Sequence, residues 1–428
     1  MVRVALALLL SLSLTSCAVQ PAFSCERDAD CGSGRCTGGV CAAPLLGEGE
    51  GEGEGEGEGE GDRCGDGVLG ASEECEDGNR SDRDGCSSAC TRWWDVATAS
   101  RLPIAVTNPA GVAVNDAPVL LRLAQATVSG TALGDSACFV DVDDETVLPF
   151  EIDSADVAES AVFLRVPLVP AAPAERVVWL YLGLPAGQRC GDDGTAVWAG
   201  IYDAVYHLGP ALQDSTAGAN HLTNSGTTDA AGVIGRARDK EASSALQDTT
   251  PSPALFIRGN LTVEAFVRPE SLVSTSYPNT LVYFGGTSLE TGDNNTLYYF
   301  GITSDGRLGH YWEYGSGNDS TTWTSDQLIN VGAWQHVAFT RDRSGNEIRW
   351  YVDGVPAGTA STSGTDPEFG AGSWLSIAAN SFDSARGLYG TIDEVRISGD
   401  VKPPRWLALQ VASMRSAGVV RMDPVELQ

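Results

Sequence analysis

The side chains able to do chemistry in this chain are its carboxylates, eleven cysteines, four histidines and a few clustered aromatics. His207, His221, His310 and His336 stand apart. No His-Glu-x-x-His pair is present to hold zinc on one helix face, and no Gly-x-Ser-x-Gly turn to expose a nucleophile. Asp393 and Glu394 are adjacent, and neighbouring side chains on a strand point to opposite faces, so the two are expected not to act as an acid/base pair. His336 falls in the alternating run Trp334 to Thr340 and reads as a structural histidine. No residue is assigned a catalytic role. Trp312, Tyr314 and Trp323 flank or neighbour Gly315-Ser-Gly-Asn-Asp-Ser320. Flat rings beside amides and hydroxyls are what stacking on a sugar requires, which makes these three the candidate ligand-binding residues. The competing reading makes the same rings core residues of neighbouring strands.

The cysteines sort by position. Arg3, the apolar run Ala5 to Leu14 and small residues before a cut site make an export signal too short to span a membrane. It ends in Leu14-Thr-Ser-Cys17, which resembles the bacterial lipobox and implies acylation of Cys17 and stable membrane attachment. The other ten fall in even groups: Cys25, Cys31, Cys36 and Cys41; Cys64, Cys75, Cys86 and Cys90; Cys138 and Cys190. Zinc competes with disulfides for the four-Cys groups. Neither contains a Cys-x-x-Cys pair or a nearby histidine, and an exported chain is oxidised, so disulfides are expected. Each four-Cys group admits three connectivities. Cys138 and Cys190 are expected to pair with each other.

The elements that must position these groups are strands. Fifty glycines and many short Val/Thr-rich runs, with few apolar periods at helical spacing, argue for an all-β protein. A net charge of −30 repels phosphate backbones, so nucleic acid is excluded as a partner. Gly47 to Gly61 alternates Gly and Glu, which buries nothing and reads as an extended spacer of up to about 50 Å. In Leu261 to Val267, residues Leu261, Val263, Ala265 and Val267 share one face, while Thr262, Glu264 and Phe266 share the other. Asp353-Gly354 is a two-residue hairpin signal. Pro404 to Met414 reads as a helix, with Trp406, Leu409 and Met414 as packing residues, capping the preceding sandwich.

Three resemblances add to this. Cys64-Gly-Asp-Gly, Glu74-Cys-Glu-Asp-Gly-Asn79 and Asp84-Gly-Cys-Ser-Ser-Ala-Cys90 resemble the cysteine-rich repeat of myxobacterial surface proteins, with Glu76 where that repeat has Asp. Asp77, Asn79, Asp82 and Asp84 there are either a Ca²⁺ cage or Asx turns between disulfides. Residues 93–188, through Trp94, Pro118-Val-Leu-Leu-Arg122, Leu148-Pro-Phe-Glu151 and Val178-Trp-Leu-Tyr-Leu-Gly183, resemble a bacterial β-sandwich domain of unknown function. From Tyr202 to about Val401, Tyr206-His-Leu208, Leu261 to Pro269, Trp334 to Phe339, Trp350-Tyr-Val-Asp-Gly354 and Gly390 to Ile397 resemble a concanavalin-type laminin-G/pentraxin jelly roll. Hydrolases of that fold that cleave laminarin-like glucans carry Glu-x-Asp-x-x-Glu, which is absent here. The pentraxin likeness implies a Ca²⁺ site from Asp293, Asn295, Asn380 and Asp383, weakened by Ser381 standing where pentraxins place a carboxylate.

The expected organisation is a signal peptide (1–16), a lipid-anchored Cys-rich segment (17–46), the Gly-Glu linker (47–61) and a Cys-rich repeat (62–92). A β-sandwich (93–195), a laminin-G-like jelly roll (196–400) and a C-terminal helix and tail (401–428) complete the chain. The expected function is non-catalytic binding at the cell surface or outer membrane, with an extracellular glycan or an envelope protein as ligand. A structural scaffold without glycan affinity, or a polysaccharide hydrolase with an unrecognised site, are the alternatives.

Overall fold

The computed structural model describes residues 35–37, 40–42, 63–95, 97–98, 100–124, 133, 136–155, 159–185, 190, 193–241, 244–273, 279–286, 296–314, 320–362, 372–381 and 386–428, with backbone alone at 35–37, 40–42 and 320–323. Cys17, Cys25, Cys31 and the Gly-Glu run lie outside the described residues. The chain forms two compact units, Met1–Glu60 and Gly61–Gln428. In the first, strands β1 (Arg35–Thr37) and β2 (Val40–Ala42) form an antiparallel hairpin that sets Cys36 opposite Cys41 in backbone register.

The second unit begins with a Cys-rich segment stapled by Cys64–Cys90 and Cys75–Cys86. Its acidic turns are self-satisfied. Asp77 accepts from the Asn79 amide at 3.2 Å, Asn79 from the Ser81 amide at 2.6 Å and Asp82 from the Ser88 amide at 2.9 Å. The first two are Asx-turn bonds, in which the side-chain oxygen stands in for a backbone carbonyl, and the third ties one turn to the next. This segment docks on the first sandwich through Trp93 and Trp94, which cluster with Tyr181 and Cys138. The Arg101 guanidinium lies 3.8 Å from the Trp179 ring centroid and 4.6 Å from that of Trp93.

That first sandwich contains β3 (Ser100–Val106), β4 (Val114–Ala124), β5 (Ala137–Val140), β6 (Val147–Leu148), β7 (Phe150–Ala155), β8 (Glu159–Val169) and β9 (Arg176–Leu182), and leads into helix α1 (Gly194–Trp198). Sheet β4-β8-β7 faces sheet β3-β9-β5-β6 across an aliphatic core. Cys138 and Cys190 are bonded, with Cα atoms 5.0 Å apart, tying β5 to the segment that leaves the domain.

The second sandwich contains β10 (Ala204–Tyr206), β11 (Thr223–Ser225), β12 (Thr228–Ala231), β13 (Arg236–Lys240), β14 (Ala245–Asp248), β15 (Leu261–Ser271), β16 (Asn279–Gly285), β17 (Thr296–Ile302) and β18 (Arg307–Glu313). It continues through β19 (Ser320–Leu328), β20 (Gln335–Asp342), β21 (Glu347–Val352), β22 (Val355–Ser361), β23 (Trp374–Ile377) and β24 (Tyr389–Ser398). One sheet runs β12-β13-β24-β15-β20-β21-β22 with β10 paired on β24, and the other runs β11-β14-β23-β16-β17-β18-β19. The alternation in β15 places Leu261, Val263, Ala265 and Val267 in the core between the sheets. Thr262, Glu264 and Phe266, on the opposite face, are also buried, because the first sandwich covers that face.

Asp353 and Gly354 turn β21 into β22 with φ of 50° and 75° and Val352 opposite Val355, the backbone a primed turn needs. A Cβ on Gly354 would also meet the Ala408 Cα at 2.9 Å, so helix packing requires glycine there as well. That helix, α2 (Pro404–Met414), has the bounds read from its sequence, with Trp406, Leu409 and Met414 buried. It does more than cap the second sandwich. Gln410 Nε2 donates to the Pro118 carbonyl at 2.9 Å and Ser413 Oγ accepts from the Leu120 amide at 2.6 Å, both on β4. Strands β25 (Val420–Met422) and β26 (Glu426–Leu427) then return to pair with β3, so the tail completes a sheet begun more than 300 residues earlier.

Leu407 on α2 is fully buried in the core shared by both sandwiches. Leu407→Ala is expected to lower stability by about 2–5 kcal/mol, the usual cost of such a cavity. Urea titration monitored by tryptophan fluorescence measures this; a wild-type midpoint in the variant contradicts the shared core.

Candidate functional site

Two places bring together side chains that are distant in sequence. One is the seam between the sandwiches; the other is a rim of the second sandwich.

At the seam, three motif segments converge. Glu151 comes from β7, His207 lies just after β10, and Glu394 and Arg396 lie on β24. His207 Nδ1 is 2.7 Å from Glu394 Oε1 and its Nε2 is 3.2 Å from Glu151 Oε2. Phe163 stacks on the imidazole with centroids 5.0 Å apart. Glu151 also accepts from Ser215 Oγ at 2.6 Å and from the Trp198 indole. Arg396 donates to Glu394 Oε2 at 2.7 Å and to Gln410 Oε1 at 2.9 Å, with its guanidinium 4.8 Å from the Trp198 ring centroid. Beside it, Glu264 on β15 holds His336 Nε2 at 2.9 Å and accepts from the Tyr202 hydroxyl, which in turn accepts from the Trp406 indole at 3.0 Å.

The expectation for Asp393 and Glu394 needs correction. The β15–β24 register shifts between the Glu264 and Phe266 pairs, and Glu394 has φ of 50°. This bulge inserts one extra residue, so Ile392 and Val395 enter the core while Asp393 and Glu394 both turn to the seam. They remain separately engaged: Asp393 accepts from the Val233 and Ile234 amides at 2.7 and 3.2 Å.

The electrostatics arise from crowding. Burial opposes charge on His207, but Glu394, Glu151 and Asp153 outweigh it and hold the imidazole well above its usual range. Burial pulls Glu394 upward, yet His207 and Arg396 win and keep its carboxylate low. Asp153 is pushed up to about 7, by burial first, with Glu394 and Glu151 adding to it against His207. Asp393 is raised well above the carboxylate range by burial and by Glu394.

The rim is a different setting. Tyr283, Tyr299 and Tyr311 form their own buried cluster, separate from the sandwich core, and stand in cross-strand register on β16, β17 and β18. Tyr283 donates to the Gly286 carbonyl at 3.0 Å, and Ser381 Oγ donates to the same oxygen. The Tyr299 hydroxyl is 2.7 Å from Thr280 Oγ1, which donates to the Arg386 carbonyl at 2.9 Å. The segments leading to the two sequence-derived calcium loops therefore meet at Gly286 and Ser381. Of the candidate ligands, Asn380 is described and buried; Asp293, Asn295 and Asp383 lie outside the described residues.

The aromatic candidates separate. Trp312 is 1% exposed and belongs to the core, with the Arg341 guanidinium 5.1 Å from its ring centroid, so it offers no face to a sugar. Strand alternation is the reason: Trp312 points inward, so Tyr311 points outward. Tyr314 is partly buried against the same core. Trp323 pairs through its backbone with His310, and its side chain lies outside the described residues. Sequence reasoning assigned no role to His207, Glu151 or Arg396, although all three stood inside or beside quoted motifs.

Replacing Arg396 with Met is expected to strand Glu394 in the seam and cost about 3–5 kcal/mol, as for breaking one side of a buried pair. Denaturant titration checks it, and a loss under about 1 kcal/mol would show that the pair contributes little net stability.

Among curated proteins, none matches the chain. Similar solved structures include domain 4 of AbnA, a GH43 extracellular arabinanase from Geobacillus stearothermophilus, in complex with arabinotriose: 22% identity over 48% of this chain and 96% of that one, TM-score 0.36. The Ruminococcus gnavus IT-sialidase CBM40 bound to alpha2,3 sialyllactose has 15% identity over 36% of this chain and 84% of that one, TM-score 0.31. The binding domain of Botulinum Neurotoxin DC in complex with SialylT has 11% identity over 49% and 50%, TM-score 0.37. Residues 241–408 match the family model of the concanavalin A-like lectin/glucanases superfamily, and the second sandwich is a concanavalin A-like domain.

Proposed function

We propose that this protein is a non-catalytic surface-displayed binding protein whose concanavalin A-like domain recognises a glycan at the rim where Gly286, Asn380 and Ser381 meet. The observation behind this reading is the division of labour between the two sheets. The outer face of the β24-containing sheet is occupied by the first sandwich and α2, with its carboxylates accepting hydrogen bonds from buried donors. The other sheet carries on its outer face a tyrosine row that anchors loop segments from two distant parts of the chain. Recognition concentrates on loops held by a rigid scaffold, because loop side chains are not committed to the core. Asp293, Asn295, Asn380 and Asp383 are the residues that would bring Ca²⁺ to this rim. A cation there would be held by these oxygens and would coordinate sugar hydroxyls directly.

Export and anchoring complete the proposal. Leu14-Thr-Ser-Cys17 would be acylated, with Ala18 after the cysteine favouring the outer membrane, and the Gly-Glu spacer would hold the domains away from the lipid. No helix among the described residues is long and apolar enough to cross a membrane. Cys17→Ser is expected to release the protein from the membrane fraction on detergent partitioning; an unmodified mature N-terminus beyond residue 17 would refute the anchor.

A glycan array run on the full chain with and without millimolar Ca²⁺ tests the ligand. Binding that disappears in Tyr283→Ala, which unpins Gly286, supports the rim. Capture of an envelope protein with no glycan retained supports the scaffold reading, and shortening of a polysaccharide during incubation supports a hydrolase.

A further inference from the structure

Five carboxylates crowd the seam: Glu151, Asp153, Glu264, Asp393 and Glu394. Against them stand one guanidinium, Arg396, and two imidazoles, His207 and His336. Even counting both imidazoles, the acidic groups outnumber the basic ones by five to three. Buried charge is retained in proteins when it is paired, hydrogen-bonded or bound to metal. Four of the five carboxylates meet the second condition. Asp153 does not.

The Asp153 side chain is 8% exposed and receives no hydrogen bond from the described residues; its nearest cationic group among them is His207 Nδ1, at 4.0 Å. Its carboxylate points at the same place as two other donor atoms. One oxygen from Asp153, one from Glu394 and a His207 ring nitrogen all lie within 4.8 Å of one another. His207 Nδ1 and Glu394 Oε1 are 2.7 Å apart. Ligands around one tetrahedral ion, with bonds of about 2.1 Å, stand roughly 3.4 Å from each other. The separations here bracket that value.

We propose that Asp153, His207 and Glu394 form a divalent transition-metal site that joins the two sandwiches. Three ligands from two domains and three chain segments would be tied by one ion, which is why the site would matter mechanically. The donor set of one imidazole nitrogen and two carboxylate oxygens suits Zn²⁺ and its neighbours over Ca²⁺, which takes oxygen ligands in greater number. The surroundings match those of a metal-binding histidine. Its other nitrogen, Nε2, faces Glu151 at 3.2 Å, the carboxylate–histidine arrangement that fixes ring orientation and tautomer, and Arg396 holds the second oxygen of Glu394. With Nε2 donating to Glu151, Nδ1 ligates the ion once the proton it shares with Glu394 in the metal-free chain has been released to solvent. This site lies on the opposite sheet from the proposed Ca²⁺ rim and does not depend on it.

The test uses the full chain, stripped with a chelator, dialysed, and titrated with ZnCl₂ and separately with CoCl₂. Expected are one equivalent of zinc retained after desalting, a visible d–d band with cobalt, and a rise of several degrees in the melting midpoint, since an ion that binds only the folded chain stabilises it. Asp153→Asn is the decisive variant, because Asp153 receives no hydrogen bond from the described residues that the amide would break. It should fold as well as the wild type in chelator and lose zinc affinity by at least about tenfold. Glu151→Gln should weaken zinc less, while Asp383→Ala should leave it unchanged. Zinc stoichiometry and midpoint shift identical in Asp153→Asn and wild type would overturn the site, as would the absence of any retained zinc.

Discussion

The constraint on which the rest of this structure depends is that the central strands β15, β20 and β24 of one sheet of the concanavalin A-like domain are buried on both faces. Its inner face packs against the partner sheet, as any sandwich requires. Its outer face, which includes Glu264, Phe266, Glu394 and Arg396, is covered by the first sandwich and α2. A sheet covered on only one side alternates apolar and polar residues. Here the polar positions survive the alternation and are buried anyway, so each must find partners. The ion-pair and hydrogen-bond cluster is the outcome: His207 between two glutamates, Arg396 between Glu394, Gln410 and aromatic rings, and His336 on Glu264.

Such a cluster does not stabilise cheaply. Taking charges out of water costs several kcal/mol per ion, and the gain is recovered only where hydrogen bonding is nearly complete. What the arrangement supplies is registration. Glu151 can meet His207 only if β7 lies at one distance and angle from β10, and α2 is held to both sandwiches through Gln410 and Ser413. The return of β25 and β26 to pair with β3 closes the chain on itself, so the second sandwich is an insertion between parts of the first one's sheet. The two behave as one body because their separation would expose both an apolar core and unpaired charge.

This allocation also directs where binding can take place. With that outer face spent on docking, the surfaces left to the concanavalin A-like domain are the rims and loops of the other sheet, whose tyrosine row is itself buried. The tyrosine row there acts as a foundation: its hydroxyls hold Gly286 directly, and Arg386 through Thr280. A tyrosine is suited to this because its ring packs like an apolar residue while its hydroxyl still satisfies a carbonyl.

Much of this was legible in the sequence, and the parts that were not share a cause. Local signals carried the all-β class, the hairpin at Asp353-Gly354, the bounds of α2 and the pairing of Cys138 with Cys190, since turn chemistry, proline position and cysteine parity act over short range or small number. The inward face of β15 was legible for the same reason. Period-2 patterning shows that two faces differ, but it does not say what covers the second face. Trp312 looked like a platform because spacing cannot tell which neighbour of an aromatic pair points out; the core took Trp312 and left Tyr311 to the other side. Asp393 and Glu394 looked incapable of sharing a face because a one-residue bulge leaves no mark in the sequence. Glu151, His207 and Glu394 were visible as letters in three separate motifs. Only the tertiary structure could show that they meet, because their proximity is set by the docking of one sandwich on another, and no term in local propensity or pattern spans that distance.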